Sequence, residues 1–315
     1  MQSKPDSAHD YSVVVPVYNS SSTLVELYQR IETVFNKLEK SFEVIFVEDC
    51  GSDNSWETLL SLKKQNPNKV CIIRLSKNFG QHNAILCGLH WARGKHIITI
   101  DDDLQIPPEE IETLIIKAKA TNADVVYGIY EHKKHSVGRN IGSNTIQFFF
   151  KQSFGNTNSI TSFRLIRRNI IEQIIHHKQS FVFLDGLIFW YTKKVEYVLV
   201  THLNRTEGVS GYNFHKLARL GFNLFFNYTT IPLRVATYTG LTLSFMSFVI
   251  GLIFIYRKLI LSVPIGFTAI IVAVFFMGGI TLLVLGIIGE YLARIYSLQL
   301  SKPQYSIGEI HDTQH

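Results

Sequence analysis

The sequence reads as an α/β protein: a doubly wound, mostly parallel sheet, followed by an amphipathic interface helix and a two-helix transmembrane hairpin. Three observations lead there. Short β-branched runs alternate with helical apolar patterns through the first 130 residues, the spacing of βαβ units. Four of the runs end in amide or acidic side chains, as at the carboxyl edge of a parallel sheet, where ligands bind. The apolar residues, 46% of the chain, are concentrated late: residues 235–256 and 259–289 carry no charge, and about 20 apolar residues in helix cross a bilayer core.

In chain order, residues 1–10 are polar and read as a disordered tail. Residues 11–16 form a strand that delivers Pro16, Tyr18 and Asn19. A helix over 20–40 follows, with Leu24, Leu27, Ile31 and Phe35 at helical spacing and serines 20–22 available as caps. Strands over 42–47 and 70–75, with a helix between them reaching Gln65, lead to Glu48-Asp49 and to Asn78-Phe79-Gly80. A helix over 81–92 precedes the run 97–100, which ends abruptly in Asp101-Asp102-Asp103. Pro107 and Pro108 stop that run from continuing. A helix over 108–120 and a strand over 123–127 follow, then a basic loop, an amphipathic helix over 139–154, a short strand over 162–166, a helix over 168–176 and a strand over 195–202. The boundaries drawn are a catalytic domain over 11–212, a juxtamembrane amphipathic segment over 213–234, two spans within 235–290 and a tail over 291–315.

The helix over 214–228 mixes Lys216 and Arg219 with Leu217, Phe222 and Phe225, which fits a membrane interface. Lys216, Arg219, Arg234, Arg294 and Lys302 flank the outer ends of the hairpin, against Arg257 and Lys258 at its turn. The positive-inside rule then puts the catalytic domain and both termini in the cytosol. Cys50, Cys71 and Cys87 show no metal-ligand spacing and read as free thiols of a reducing compartment. The first ten residues lack the apolar core of a signal peptide. A net charge of +6 suits phosphate-bearing or anionic partners. No basic-aromatic face in the soluble part supports nucleic-acid binding.

Three carboxylates at one strand end repel one another unless a cation neutralises them. Hard oxygen donors of this kind suit Mg²⁺ or Mn²⁺ shared with substrate phosphates. There is neither GxGxxG nor GxxxxGK[ST], so a dinucleotide fingerprint and a P-loop are both excluded. The twelve histidines show no metal-ligand spacing.

The stretches Val14-Val15-Pro16-Val17-Tyr18-Asn19, Val47-Glu48-Asp49 with Asp53, Asn78-Phe79-Gly80 and Asp101-x-Asp103-Leu104-Gln105-x-Pro107-Pro108 resemble family-2 glycosyltransferases of the GT-A fold. His202-x-x-Arg205-x-x-Gly208-x-Ser210-x-Tyr212, Ile231-Pro232-Leu233-Arg234 and Gly289-Glu290-Tyr291-x-x-Arg294 are similar to the polyprenyl-phosphate branch: GtrB-like bactoprenol glucosyltransferases, ArnC-like enzymes and dolichyl-phosphate mannose synthases. The resemblance implies that Pro16, Tyr18, Asn19, Asp49, Asp53, Asn78, Gly80, Asp101 and Asp102 serve the nucleotide-sugar. It implies that Asp101, Asp103 and Gln105 hold Mg²⁺ or Mn²⁺, with Asp103 also counted as catalytic. Asp102, in the variable middle position, is expected to tolerate replacement best. Arg164, Arg205, Ser210 and Tyr212 would meet the acceptor phosphate, and Arg205 would stabilise charge leaving with the diphosphate.

One departure bears on chemistry. GtrB-like members carry a proposed base, an Asp, where this chain has Ser162. Either the base lies elsewhere, with Asp185 and Glu207 as candidates, or a dianionic phosphate needs none. The implied activity is inverting, metal-dependent transfer of a sugar, glucose from UDP-glucose first, onto undecaprenyl phosphate. The implied location is the cytosolic face of the inner (cytoplasmic) membrane, in a multi-pass protein that forms a homo-oligomer. GDP-mannose, UDP-N-acetylhexosamine and UDP-aminoarabinose are the alternative donors, and an inactive membrane scaffold of the same fold is the competing class.

Overall fold

The computed structural model describes residues 9–130, 161–176, 183–203, 266–299 and 303–313, with single positions between 237 and 260. The chain divides into two units, one built from residues 1–210 and 302–315, the other from 211–301.

The first unit begins with β1 (His9–Val17), α1 (Leu24–Lys37), β2 (Phe42–Glu48), α2 (Ser55–Gln65), β3 (Val70–Leu75), α3 (Gln81–Trp91), β4 (Gly94–Thr99), α4 (Glu110–Thr121) and β5 (Val125–Ile129). It continues with β6 (Arg164–Arg167), α5 (Arg168–Ile174), α6 (Leu184–Tyr191) and β7 (Val195–Leu199), and ends with β8 (Ile307–His311). One eight-stranded sheet runs in the order β7-β5-β6-β4-β1-β2-β3-β8. β1 pairs in parallel with both β2 and β4, so Val14 stands between Ile45 and Thr99. β6 enters antiparallel between β4 and β5. The expected mostly parallel, doubly wound sheet is therefore present.

Its strands are apolar on both sides because helices cover both faces. Val13, Val15 and Val17 face a core shared with α1, α2 and α4. Val14, Ile45 and Ile97 face the other core, shared with α3, α5 and α6. Six side chains of α1 are buried, among them Leu27, Ile31 and Phe35, and each contributes about 1.5–3 kcal/mol of apolar burial. α3 lies close against the sheet because Gly88 leaves room: a Cβ there would stand 2.4 Å from Val14.

Several boundaries differ from the sequence reading. β1 starts at His9, inside the expected tail. β7 stops at Leu199, three residues early: the Val200 N–H still donates to Ile129 of β5, but the Thr201 N–H goes to Glu110 and the Leu203 N–H to the Gln105 carbonyl. α6 was not expected: at eight residues it is too short for a periodic signal. The segment over 291–315 is not simply a tail. Its first part continues the helix of the second unit, and its last part forms β8, antiparallel on the exposed edge of β3. The edge thereby gains a hydrogen-bonded cover. Ile307, Ile310 and Tyr305 pack on the second core. Beyond β8, the Arg93 guanidinium donates to Asp312 and, at 2.6 Å, to the Thr313 hydroxyl. The expected helices over 139–154 and 214–228 lie outside the described residues.

In the second unit, α7 (Phe267–Gln299) is 33 residues long. Among the described residues it is the one helix long and apolar enough to cross a membrane, over Phe276–Ala293. It runs nine residues past 290, the expected end of the two spans. The described positions between 237 and 260 are helical, but most of the first expected span lies outside the described residues.

Arg93→Ala should lower the unfolding temperature of the detergent-solubilised protein. The loss should correspond to about 1.5–3 kcal/mol, the worth of a charge-assisted hydrogen bond, and circular dichroism on heating checks it.

Candidate active site

The carboxyl ends of β1, β2, β3 and β4 meet at one edge of the sheet, and each ends in a loop held by side chains from its neighbours. After β1, Asn19 takes a left-handed backbone (φ 55°) and its side-chain oxygen accepts the Ser52 N–H at 2.7 Å. Asp53 accepts the N–H groups of Ser21 and Ser55 at 3.0 and 3.1 Å. Burial opposes ionisation of Asp53, but the hydrogen bonds from Ser55 and Ser21 win and hold its carboxyl below the usual range. After β2, Asp49 accepts the N–H groups of Phe79 and Gly80 at 2.7 and 2.8 Å, which fixes the loop after β3. Gly80 sits at φ 87°, a conformation that costs glycine least. Burial pushes the Asp49 carboxyl up despite those two donors.

The loop after β4 carries the three carboxylates, and they are not equivalent. Asp101 accepts the Gln81 amide N–H at 2.6 Å on one oxygen and the Ser162 hydroxyl on the other. Asp102 accepts the Tyr18 N–H at 3.0 Å, and its carbonyl accepts the Thr23 hydroxyl at 2.5 Å. Asp103 accepts the Gln105 N–H at 3.1 Å. Burial raises the Asp101 carboxyl and pushes the Asp102 carboxyl up to about 6. Leu104 closes the loop in the left-handed region (φ 57°).

Two clefts open here. One, of about 290 Å³, is lined by Pro16, Tyr18, Asp49, Asn78, Gly80, Gln81 and all three aspartates. The other, of about 210 Å³, is lined by Gln105, Ile106, Tyr130, Thr161, Ser162 and His202, and again by Asp101 and Asp103. These two carboxylates form the common wall, while Asp102 faces the first cleft only. The His202 ring lies 4.2 Å from that of Tyr130, and the Leu203 N–H donates to the Gln105 carbonyl at 2.8 Å. The segment after β7 is thus tied to the aspartate loop.

Among the described residues no three His, Cys, Asp or Glu side chains converge as a closed metal cage. The oxygen donors of Asp101, Asp103 and Gln105 nevertheless fit a hard divalent cation. Mg²⁺ takes one or two carboxylates from protein and completes its shell with water and phosphate oxygens. Each Asp101 oxygen accepts one hydrogen bond and keeps a further lone pair.

Two residues expected at the site lie beneath it. Arg164 is 1% exposed and pairs with Asp185, 5% exposed. Arg164 also donates to the Thr99 hydroxyl at 3.1 Å and stacks over Tyr127, whose hydroxyl donates to Asp185 at 2.9 Å. The guanidinium and the carboxylate answer each other inside the fold, so neither is offered to an acceptor phosphate or to a reacting proton. Asp102 departs from expectation as well: it anchors the Tyr18 loop rather than standing as a tolerant middle position. Arg205, Glu207, Ser210 and Tyr212 lie outside the described residues. Gln81 and Tyr130 escaped the sequence reading. Gln81 had a usable signal, because the first residue of a helix that follows a strand-end loop points toward the same edge.

A family model described as glycosyl transferase family 2 matches residues 12–175. The chain belongs to that family. It is 32% identical over 307 residues, 96% of this chain and 94% of the relative, to the undecaprenyl-phosphate 4-deoxy-4-formamido-L-arabinose transferase of Pectobacterium carotovorum. It is 33% identical to the uncharacterised glycosyltransferase YkcC of Bacillus subtilis, over 94% of this chain and 93% of that one. Among solved structures, mannosyl-3-phosphoglycerate synthase from Rubrobacter xylanophilus aligns with a TM-score of 0.50 and 12% identity, over 69% of this chain and 71% of that one. That likeness concerns the fold. The protein is a glycosyltransferase with a GT-A sheet, as its motifs imply.

Three outcomes follow for this glycosyltransferase. Asp102→Ala frees the Tyr18 loop and should raise the donor KM about tenfold, the worth of one charge-assisted hydrogen bond, measured by initial rates at varied donor. Asp185→Asn leaves a buried guanidinium unpaired and should destabilise the fold by about 3–5 kcal/mol, read from thermal unfolding. Mn²⁺ binding should weaken as pH falls from 7.5 to 5.5, because the Asp102 carboxyl group, pushed up to about 6, takes up a proton and loses the negative charge that attracts the cation beside it, so that binding releases a proton. Calorimetry in buffers of different ionisation enthalpy reads that proton release.

Proposed function

We propose that this glycosyltransferase moves a sugar from a nucleotide-sugar onto undecaprenyl phosphate, with inversion, at the cytosolic face of the membrane. One observation carries the reading: two clefts of different character share Asp101 and Asp103 as their wall. The first suits a nucleoside diphosphate. Tyr18, 53% exposed, offers a ring for a base to stack on, and the loop ends at Asp49 and Gly80 offer polar groups. The second suits the sugar and the incoming phosphate. Asp101, Asp103 and Gln105 would hold Mg²⁺ or Mn²⁺, which when bound neutralises the charge building on the departing diphosphate. Arg205, Ser210 and Tyr212 follow the segment tied to Gln105 and are the proposed contacts for the acceptor phosphate. An acceptor that is already a dianion needs no proton removed.

The activity for which the Pectobacterium carotovorum relative is named supports undecaprenyl phosphate as acceptor. UDP-glucose is the first donor to test. The formamido-arabinose nucleotide is the second, favoured by that same relative's name. Chain connectivity supports a two-span hairpin. Residues 211–301 leave the catalytic unit and the chain returns to it at residue 302, which favours an even number of crossings, with α7 proposed as one of them. A homo-oligomer is part of the proposal.

Purified protein with Mn²⁺, undecaprenyl phosphate and each radiolabelled donor should give a lipid-linked sugar, and Asp103→Ala should reduce the rate at least a hundredfold. No lipid product with any donor sinks the proposal. A reporter placed at residue 262 should lie across the membrane from one placed after residue 313.

A further inference from the structure

In this chain the position of the expected base is taken by a residue that cannot accept a proton at neutral pH, and the structure gives that residue another task. The Ser162 hydroxyl has one proton, and it is donated to Asp101. Gln81 donates to the other oxygen of the same carboxylate from the opposite side, at 2.6 Å. Gln81 opens α3 and lines the first cleft; Ser162 precedes β6 and lines the second. Asp101 is therefore held by one donor from each cleft. Ser162 is itself fixed, because its carbonyl accepts the hydroxyl of Thr99, and Thr99 in turn accepts from Arg164 at 3.1 Å. The buried Arg164–Asp185 pair thus supports the hydroxyl from below.

We propose that Ser162 is a positioning residue that orients Asp101 toward a divalent cation shared by the two clefts, and is not the base of the reaction. The inference rests on the metal-dependent transfer proposed above. Transfer forms one C–O bond at the anomeric carbon, from a phosphate oxygen of the acceptor, and breaks another, whose electron pair leaves on the β-phosphate of the nucleoside diphosphate. A dianionic acceptor has no proton to give up, so the atoms balance without a base at residue 162. Hydrogen bonds to the carboxylates that ligate a metal fix their orientation, and removing one costs about 10–100-fold in metal affinity.

The test uses the full-length protein in detergent, with Mn²⁺ binding read by electron paramagnetic resonance in the presence of UDP. Ser162→Ala should raise the Mn²⁺ Kd at least tenfold, and Ser162→Thr, which keeps the hydroxyl, should restore it to within about threefold. At saturating Mn²⁺ the turnover of Ser162→Ala should return to within about threefold of the unaltered enzyme. Unchanged unfolding temperatures establish that the variants are folded. An unaltered Mn²⁺ Kd in Ser162→Ala overturns the inference, as does a turnover deficit that persists at saturating metal, because that deficit places Ser162 against the reacting atoms. If Ser162→Ala does not fold, the same readings on Gln81→Leu decide whether the clamp on Asp101 sets metal affinity. Failure of the unaltered protein to bind Mn²⁺ at all is a separate result, and it overturns the metal-dependent reading itself.

Discussion

Crowding of negative charge at the end of β4 is the constraint to which the rest of the site answers. Three successive carboxylates in a partly buried loop are tolerable only if each is separately satisfied. Asp103 accepts the Gln105 N–H of its own loop. The fold satisfies the first two from three directions, with the Tyr18 N–H from the loop after β1 on Asp102, and the Gln81 amide from α3 and the Ser162 hydroxyl from just before β6 on Asp101. Those donors come from segments far apart in the chain and meet only because the parallel sheet brings its carboxyl ends together. The raised carboxyl groups of Asp101 and Asp102 record what remains of the cost.

Strain is placed at the same edge. Asn19, Cys50 and Leu104 have left-handed backbones at φ 55°, 54° and 57°, following β1, β2 and β4 respectively. Asn tolerates this region; for Cys and Leu it costs of the order of 1 kcal/mol each. The strained loops converge around the first cleft, while the strand residues that lead into them, Tyr11–Val17, Phe42–Glu48 and Ile97–Thr99, are buried. Rigid strands paired over long registers let the loops keep shapes that they would abandon if free.

Much of this was legible in the sequence. Strands buried on both faces read as continuous β-branched runs, and α1 reads as a stripe of apolar residues, because burial dictates residue type directly. The strand ends were legible because polar side chains interrupt those runs. What could not be read was direction. Arg164 and Asp185 have the residue types of a phosphate ligand and a base, yet both turn inward onto each other. Nothing local distinguishes a buried ion pair from two catalytic groups, since the distinction depends on α6, an element too short to announce itself. Asp102 was misjudged for a related reason: its partner is a backbone N–H 84 positions away, and backbone donors leave no trace in residue identity. β8 was missed because a five-residue strand carrying Glu309 and His311 reads as polar chain until an open edge is found for it.

That strand has a consequence for biogenesis. β8 follows α7 in the chain, so the ribosome makes it only after the apolar helix. Until then β3 presents an unpaired edge and Arg93 lacks its acidic partner, although every other strand of the sheet has already been synthesised. Unpaired edges are where chains aggregate. The nascent domain therefore waits, nearly finished and adhesive, while the long apolar helix is being made. Completion of the sheet comes afterwards, which ties final folding of the sugar-transferring domain to prior synthesis of the long apolar helix.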